Sequence, residues 1–407
     1  MPTATTSAST EQKSVPSLWQ YVAADDFSLP GEPVLQSAKS FFDHLYDLLR
    51  LRRGKDREPV KAADELGLIA AQRLQELVPE PDWRVPAALL EEAVEQLPES
   101  GFNAVLLVGP PFSGRRSILD ALISKDGRRA IESPTDAQIF GDDDAWLEQV
   151  QKSDATLLLP ALERMYFRHV SSLGLVRRLM ERIASGCAGR VVIGCDSWAW
   201  AFLEPLWRGR KPAVITLQAF DDDRLNRSFL ERARASGGGV SFRETDSGRN
   251  VLSDSERDGP EADNGHFLQI LASRSRGNIG VATELWKNAL QVEPEKDEHE
   301  KNGKQDAAAE GTIWVKPLDK LSIPRVSSAV GVNESLVLHA LLLHDGLRAA
   351  RLAQMLPRTE RPVDTTLSLL EESRLVEEHD GIWRVSPAGY PAVRQFLKSG
   401  GYLVDAF

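Results

Sequence analysis

The residues with the clearest capacity for chemistry lie between 104 and 119. The apolar run Ala104-Val-Leu-Leu-Val108 leads into Gly109-Pro-Pro-Phe-Ser113-Gly114, and then into Arg115-Arg116-Ser117-Ile118-Leu119. This reads as a buried strand, a glycine-bounded loop and the start of a helix. Such a layout turns backbone N–H groups and the positive end of a helix toward one point, which suits a phosphate. The glycines have the right spacing, but the two residues after Gly114 have unexpected types. A lysine ordinarily comes first there, followed by a hydroxyl residue that holds Mg²⁺; here the two positions carry Arg115 and Arg116. Gly109, Ser113, Gly114, Arg115, Arg116 and Ser117 are the candidate phosphate-contacting residues. Arg115 can neutralise phosphate charge, although its planar fork replaces the compact ammonium of lysine poorly.

Three further segments carry supporting chemistry. Phosphoryl transfer needs one carboxylate for Mg²⁺ and another to polarise the attacking water. The strand expected beside the loop strand is Thr156-Leu-Leu-Leu-Pro160-Ala161-Leu162-Glu163-Arg164. Pro160 or Ala161 stands at its metal position. Glu163, displaced along the turn, is the candidate general base; the plainer role for it is a helix-start acid that satisfies backbone donors. In the second segment, Val191-Val-Ile-Gly194-Cys195 ends at Asp196-Ser197. An Asp facing phosphate would repel it, so Ser197 is the better donor and Asp196 is expected to cap the next helix. Trp198 and Trp200 read as packing residues. Third, Ser275-Arg276-Gly277-Asn278 opens a helix after a glycine turn, from which Arg274 or Arg276 can reach phosphate.

These segments need a scaffold. Short apolar runs at Ala104–Val108, Ala130–Glu132, Ala155–Leu159, Val191–Gly194 and Ala213–Thr216 alternate with amphipathic stretches such as Ser172–Ser185. Continuous apolar strands of this kind belong to a parallel sheet covered on both faces. The expected organisation is a disordered tail over 1–32, a helical region over 33–100, an α/β core of about five strands over 101–243, a disordered insertion over 244–264, helices over 265–292, a linker over 293–332 and a compact C-terminal block over 333–407. Within 33–100, helices are expected near 37–49, 61–77 and 86–97. The cluster Arg50-Leu-Arg52-Arg53-Gly-Lys55 reads as a solvated helix end.

Composition narrows the function classes. At 407 residues the chain is long enough for two or three domains. Its net charge of −11 argues against a generalised nucleic-acid coat. No apolar run approaches the roughly 18 residues that span a bilayer, and the Ser/Thr/Ala-rich start lacks the apolar core of a secretory signal. Cys187 and Cys195 flank one expected strand without metal-ligand company, so two reduced thiols and a cytoplasmic setting are expected.

The order of these segments carries a resemblance. A degenerate phosphate loop at Gly109–Ser117, an acidic strand end at Glu163, a polar strand end at Cys195-Asp196-Ser197, and Ser275-Arg276-Gly277-Asn278 opening a lid helix together resemble the AAA+ and STAND classes of P-loop ATPase over about 100–291. The resemblance implies an α/β P-loop NTPase core with a helical lid, ATP or ADP bound between them, and switching or assembly on binding. Gly109, Gly114 and Ser117 match the family's loop. Arg115, Arg116 and Pro160 depart from it, which weakens the case for hydrolysis and for Mg²⁺.

The C-terminal block resembles a winged helix. Helices over Leu336–Leu343, Leu347–Leu356 and Pro362–Glu372 precede Leu375–Val385, where Asp380-Gly381 marks a hairpin turn. Such a domain commonly reads DNA. The third helix carries no Lys or Arg and ends in Glu371-Glu372, and phosphate contacts supply most DNA affinity, so a protein-contact or autoinhibitory module is favoured. Arg358, Arg361, Arg384 and Arg394 are the residues that weigh the other way.

The reading that follows is a nucleotide-responsive regulator or scaffold with weak or absent ATP hydrolysis, contacting a protein partner or a second copy through the winged helix. The alternatives are an active AAA+ ATPase with relocated groups, drawing on Arg177, Arg178 or Arg182 across subunits, and a DNA- or membrane-channel-associated adaptor whose P-loop fold is structural only.

Overall fold

The computed structural model describes residues 17–31, 60–61, 65–96, 103–125, 127–141, 143–151, 155–186, 190–235, 237, 239–253, 265–293, 311–327, 330–357 and 362–407. The helix expected over 37–49, the basic cluster at 50–55, Cys187, Arg358 and Arg361 lie outside these residues.

In chain order the first half contains β1 (Tyr21–Ala23), β2 (Gly67–Leu68), α1 (Ala71–Leu77), α2 (Arg84–Glu95), β3 (Ala104–Gly109), α3 (Arg115–Ile123), β4 (Arg128–Ala130), α4 (Asp136–Gly141), α5 (Asp144–Glu148), β5 (Thr156–Leu159), α6 (Gly174–Ala184), β6 (Val191–Asp196) and α7 (Ser197–Leu203). The second half contains β7 (Ala213–Leu217), α8 (Asp222–Ala235), β8 (Ser241–Glu244), α9 (Gly265–Ser275), α10 (Ile279–Ala289), β9 (Leu290–Val292), β10 (Thr312–Val315), α11 (Val332–Leu343), α12 (Ala349–Met355), α13 (Val363–Glu372), β11 (Val376–His379), β12 (Ile382–Val385) and α14 (Tyr390–Ser399).

The central sheet runs β1-β7-β3-β6-β5-β4. Its five inner-core strands pair in parallel, and β1 adds an antiparallel edge on β7. All six residues of β3 are buried. Side chains alternate across a strand, so Val105 and Leu107 pack with Leu90 of α2 and with Ile118, Leu119 and Leu122 of α3. Ala104, Leu106 and Val108 enter the larger core on the opposite face, with α6, α7 and the second half of the chain. The fold is thus mixed α/β with a largely parallel central sheet, compatible with a P-loop NTPase core.

Several boundaries differ from the sequence reading. Residues 17–31, expected as part of a disordered tail, contribute β1 and the buried Trp19, which packs against Trp83 and Phe220. The strand β5 does not lie beside the loop strand β3, because β6 intervenes. Helices fall at Ala71–Leu77, starting later than the expected 61, and at Arg84–Glu95, starting slightly earlier than the expected 86. The expected insertion begins with ordered chain: Val251, Leu252 and Ser253 are buried, and the Asn226 side chain clasps Ser253 by both its N–H (3.1 Å) and its C=O (2.7 Å). The expected linker holds β10, whose Ile313, Trp314 and Val315 are buried in a second sheet of order β2-β9-β10-β8.

The C-terminal block follows the expected order of three helices and a hairpin, and α14 adds a helix after the hairpin that was not expected. Asp380 and Gly381 both have positive φ (54° and 76°), the conformation that a two-residue hairpin turn of matched twist requires. Leu347 bridges to Trp383 and so ties the segment between α11 and α12 to the hairpin. The block docks on the core through α11. Tyr166 Oη donates to the Leu343 carbonyl (3.2 Å), and Arg168 donates to His339 Nδ1 (3.0 Å).

Candidate functional site

The site begins where β3 passes into α3. Gly109 pairs in register with Asp196 at the end of β6. The helix after β3 packs on one face of the sheet, and α7, after β6, packs on the other. A crevice opens between the ends of two neighbouring strands whose following helices diverge in this way. The loop fills it with a tight turn. Phe112 and Gly114 both have positive φ (68° and 81°). A Cβ at Gly114 would lie 2.1 Å from the Trp83 ring, so a glycine is required both by conformation and by close approach.

Other chain segments grip this loop. Asn278 caps α10 by accepting from the N–H groups of Gly280 and Val281, and its Nδ2 donates to the Pro111 carbonyl (2.6 Å). The Gly280 N–H donates to the Phe112 carbonyl (3.2 Å). Gly277 (φ 70°) makes the turn that the sequence indicates there. The Phe112 ring meets Tyr390 of α14 edge-on at 5.9 Å.

Beneath the loop lies a closed charge network. The Arg115 side chain is 7 % exposed and that of Glu163 1 %. Arg115 Nη2 donates to Glu163 Oε1 (2.6 Å), and Nη1 donates to the Pro160 carbonyl (2.9 Å). The second Glu163 oxygen accepts from the Asp196 N–H (3.0 Å). Asp196 accepts from the Trp198 N–H (2.9 Å) and caps α7, the role expected for it. Burial opposes the charge on Arg115, but Glu163, Asp196 and Asp345 together hold its pKa above the ordinary value. Burial pushes the Asp196 carboxyl well up. Gly194 makes the network possible: a Cβ there would fall 2.3 Å from Leu119 Cδ1, 2.4 Å from the Pro160 carbonyl and 3.0 Å from Arg115 Nη1.

Above the loop is a cleft of ≈ 390 Å³. Ser113, Gly114, Arg115, Arg116 and Ser117 line its floor, Thr283 and Lys287 of α10 line one wall, and Asp345 and Arg384 of the C-terminal block line another. Trp83 closes the side next to Gly114. Arg116 projects into it with a side chain 47 % exposed, 3.9 Å from the Asp345 carboxylate. Arg164 approaches the same carboxylate at 3.8 Å, and Arg384 Nε donates to the Asp345 carbonyl (3.2 Å). Burial and Glu163 raise the Asp345 pKa against the pull of Arg115, Arg384 and Arg164. Ser113 Oγ is buried without a hydrogen-bond partner among the described residues.

No family model and no curated protein matches this chain. Among solved structures, the Walker-type ATPase paby2304 of Pyrococcus abyssi aligns over 78 % of this chain and 99 % of its own, with 14 % identity and a TM-score of 0.27.

The structure gathers five of the sequence candidates at the cleft and places four elsewhere. Ser113, Gly114, Arg115, Arg116 and Ser117 line it, although the Arg115 guanidinium points away, under the loop. Gly109 sits at the strand end, with its α-carbon face against Ser113 Oγ. Glu163 is buried in the ion pair and does not face the cleft. Ser197 is buried and donates to the Asp405 carboxylate. Arg276 donates to the Phe407 carbonyl at 3.0 and 3.2 Å. Of the arginines weighed for action across subunits, Arg178 pairs with Asp144 and Arg182 donates to the Leu147 carbonyl. Arg394, one of the residues weighed for DNA, is buried against Asp405, and Arg384 turns toward the cleft. Trp83, Gly194, Lys287 and Asp345 were missed. A Trp just before a helix and a Gly inside an apolar strand were visible signals, whereas nothing local marks Lys287 or Asp345.

Proposed function

We propose that the chain is a nucleotide-responsive regulator or scaffold on a P-loop ATPase-like fold, with weak or absent hydrolysis. One observation carries this reading: the residues at the lysine and general-base positions, Arg115 and Glu163, are bound to each other in the interior. A base consumed in a buried ion pair is not available to polarise water. The cleft above remains roomy, and Arg116, Lys287 and Arg384 line it together with Glu80, Glu284 and Asp345. ATP or ADP would lie along it, with phosphates toward the start of α3, Ser113 and Arg116, and with Lys287 reaching from the lid formed by α9 and α10.

The C-terminal block, read as a winged helix, would transmit the response. It borders the cleft through Asp345 and Arg384 and holds the core through His339, Leu343 and Tyr390. Occupancy of the cleft would bias this docking, and a protein partner or a second copy of the chain would read the difference. DNA recognition is disfavoured because α13 carries no basic residue and Arg394 is paired internally. No helix among the described residues is long and apolar enough to cross a membrane; a cytoplasmic setting is part of the proposal.

Calorimetric titration of the full chain with ATP and with ADP tests the reading. Saturable binding that Arg116→Ala weakens supports it. A folded chain that binds neither nucleotide would leave the P-loop fold as a scaffold only.

A further inference from the structure

We infer that the cleft takes its nucleotide as a metal-free anion, with the Arg116 guanidinium standing where a divalent cation would otherwise sit. The inference rests on the nucleotide-binding reading above and adds the form of the ligand and the residue that selects it.

The donor set around the start of α3 does not fit Mg²⁺. That ion demands hard oxygen ligands in near-octahedral array. Arg116 occupies the hydroxyl position of the loop and offers only N–H donors. The nearby carboxylates are already committed. Asp196 is 1 % exposed and caps α7, and Glu163 is locked to Arg115. Asp345 faces Arg116 at 3.9 Å and Arg164 at 3.8 Å. Of the remaining acids on the cleft wall, Glu284 accepts from Asn288 (3.2 Å) on the lid helix, and Glu80 lines the cleft from the segment before α2. No group of three or more His, Cys, Asp or Glu side chains able to hold a metal ion occurs among the described residues. A cation brought to the loop would meet Arg116 first, and like charges repel.

The same cleft suits a bare polyphosphate. Arg116 at the start of α3, Lys287 from the lid helix and Arg384 from the hairpin line it, so three elements each bring a cation to a lining that also holds Glu80, Glu284 and Asp345. A guanidinium binds phosphate oxygens in a bidentate fork and does not lose its proton, so it can supply without a metal some of the charge that Mg²⁺ supplies elsewhere. Half of the Arg116 side chain is still open to solvent. A ligand that replaces Asp345 as its partner therefore gains a charge-assisted pair at little cost in desolvation.

Calorimetry on the full chain, with ATP and with ADP, in excess EDTA and in excess MgCl₂, tests this. Wild-type affinity is expected to be at least as high in EDTA as in MgCl₂. Arg116→Thr, which restores a hydroxyl at the metal position, is expected to weaken binding in EDTA roughly tenfold or more and to regain affinity in MgCl₂. Thermal unfolding of the variant checks that it is folded; Arg116 is half exposed, so no loss of fold is expected. Wild-type binding that requires MgCl₂, or an Arg116→Thr chain that binds unchanged in EDTA, overturns the inference and leaves the nucleotide-binding reading intact. A folded wild type that binds in neither buffer overturns both.

Discussion

Arg115 and Arg116 are neighbours in sequence and have opposite environments. Arg115 runs inward past Gly194 and is sealed against Pro160 and Glu163, whereas Arg116 stands in the cleft with nearly half its side chain exposed. The first two residues of a helix point in different directions, and one of them here faces the sheet. The interior below the loop is therefore a matter of stability, and the cleft above it, on the proposed reading, a matter of ligand. The lysine of an ordinary phosphate loop reaches up, and in this chain the residue at that position reaches down.

The largest effect expected from breaking this division is on stability. Arg115→Ala leaves the Glu163 carboxylate buried without its partner, which costs about 3–5 kcal/mol; chemical denaturation reads it directly. Glu163→Gln keeps the shape and a hydrogen bond but leaves the Arg115 guanidinium buried without its main counter-charge, so a cost of the same order is expected.

Acid sharpens the comparison next. His344 lies beside the network, with Nδ1 donating to the Glu163 carbonyl (3.2 Å) and Nε2 buried without a partner among the described residues. Burial is the main cause that lowers its pKa from 6.5 to about 4. A histidine depressed in the folded state leaves the unfolded chain binding more protons between these values, so its contribution is complete above pH 6.5 and lost as pH falls toward 4. The loss is on the order of 3 kcal/mol. His344→Gln is expected to lose less stability than the wild type over this window. An equal pH dependence in the two chains would remove His344 from the account. Asp196 and Asp345, raised in the folded state, contribute in the opposite direction, which is why the difference between variant and wild type is the quantity to measure.

Gly194→Ala comes third. The added methyl group meets Leu119 and the Pro160 carbonyl at under 3 Å, and overpacking of this kind costs about 1–3 kcal/mol. The melting temperature should fall while any ligand affinity per folded molecule stays the same.

Above the loop the effects are smaller and appear in binding. Asp345→Asn removes the carboxylate that holds Arg116 and is expected to tighten ATP or ADP binding by about threefold to tenfold. Weaker binding by this variant would mean that Asp345 positions Arg116 for the ligand and does not compete for it. Ser197→Ala and Arg276→Ala are expected to shift affinity least, within about twofold, because these side chains are held by Asp405 and Phe407.

The sequence made the core strands legible because buried parallel strands are continuous apolar runs, and β3, β5 and β6 have that form. The Asp380-Gly381 hairpin was legible from turn chemistry alone. By contrast, β1 and β10 are short and border polar, charged stretches, so Trp19-Gln20-Tyr21-Val22 and Thr312-Ile-Trp-Val315 were absorbed into a tail and a linker despite their strand-forming residues. At the site, the loop could be read and the direction of Arg115 could not. That direction depends on an absent Cβ at Gly194 and an acceptor on Glu163, both distant in sequence. The approach of Asp345 is likewise a consequence of docking by the C-terminal block.

The most direct test of the central claim is to follow phosphate release from ATP in the same sample in which ATP binding is measured. The account predicts saturable binding with no sustained release, because Glu163 stays paired with Arg115. Sustained release that Glu163→Gln abolishes would contradict it, since Glu163 would then have to leave that pair and face the cleft.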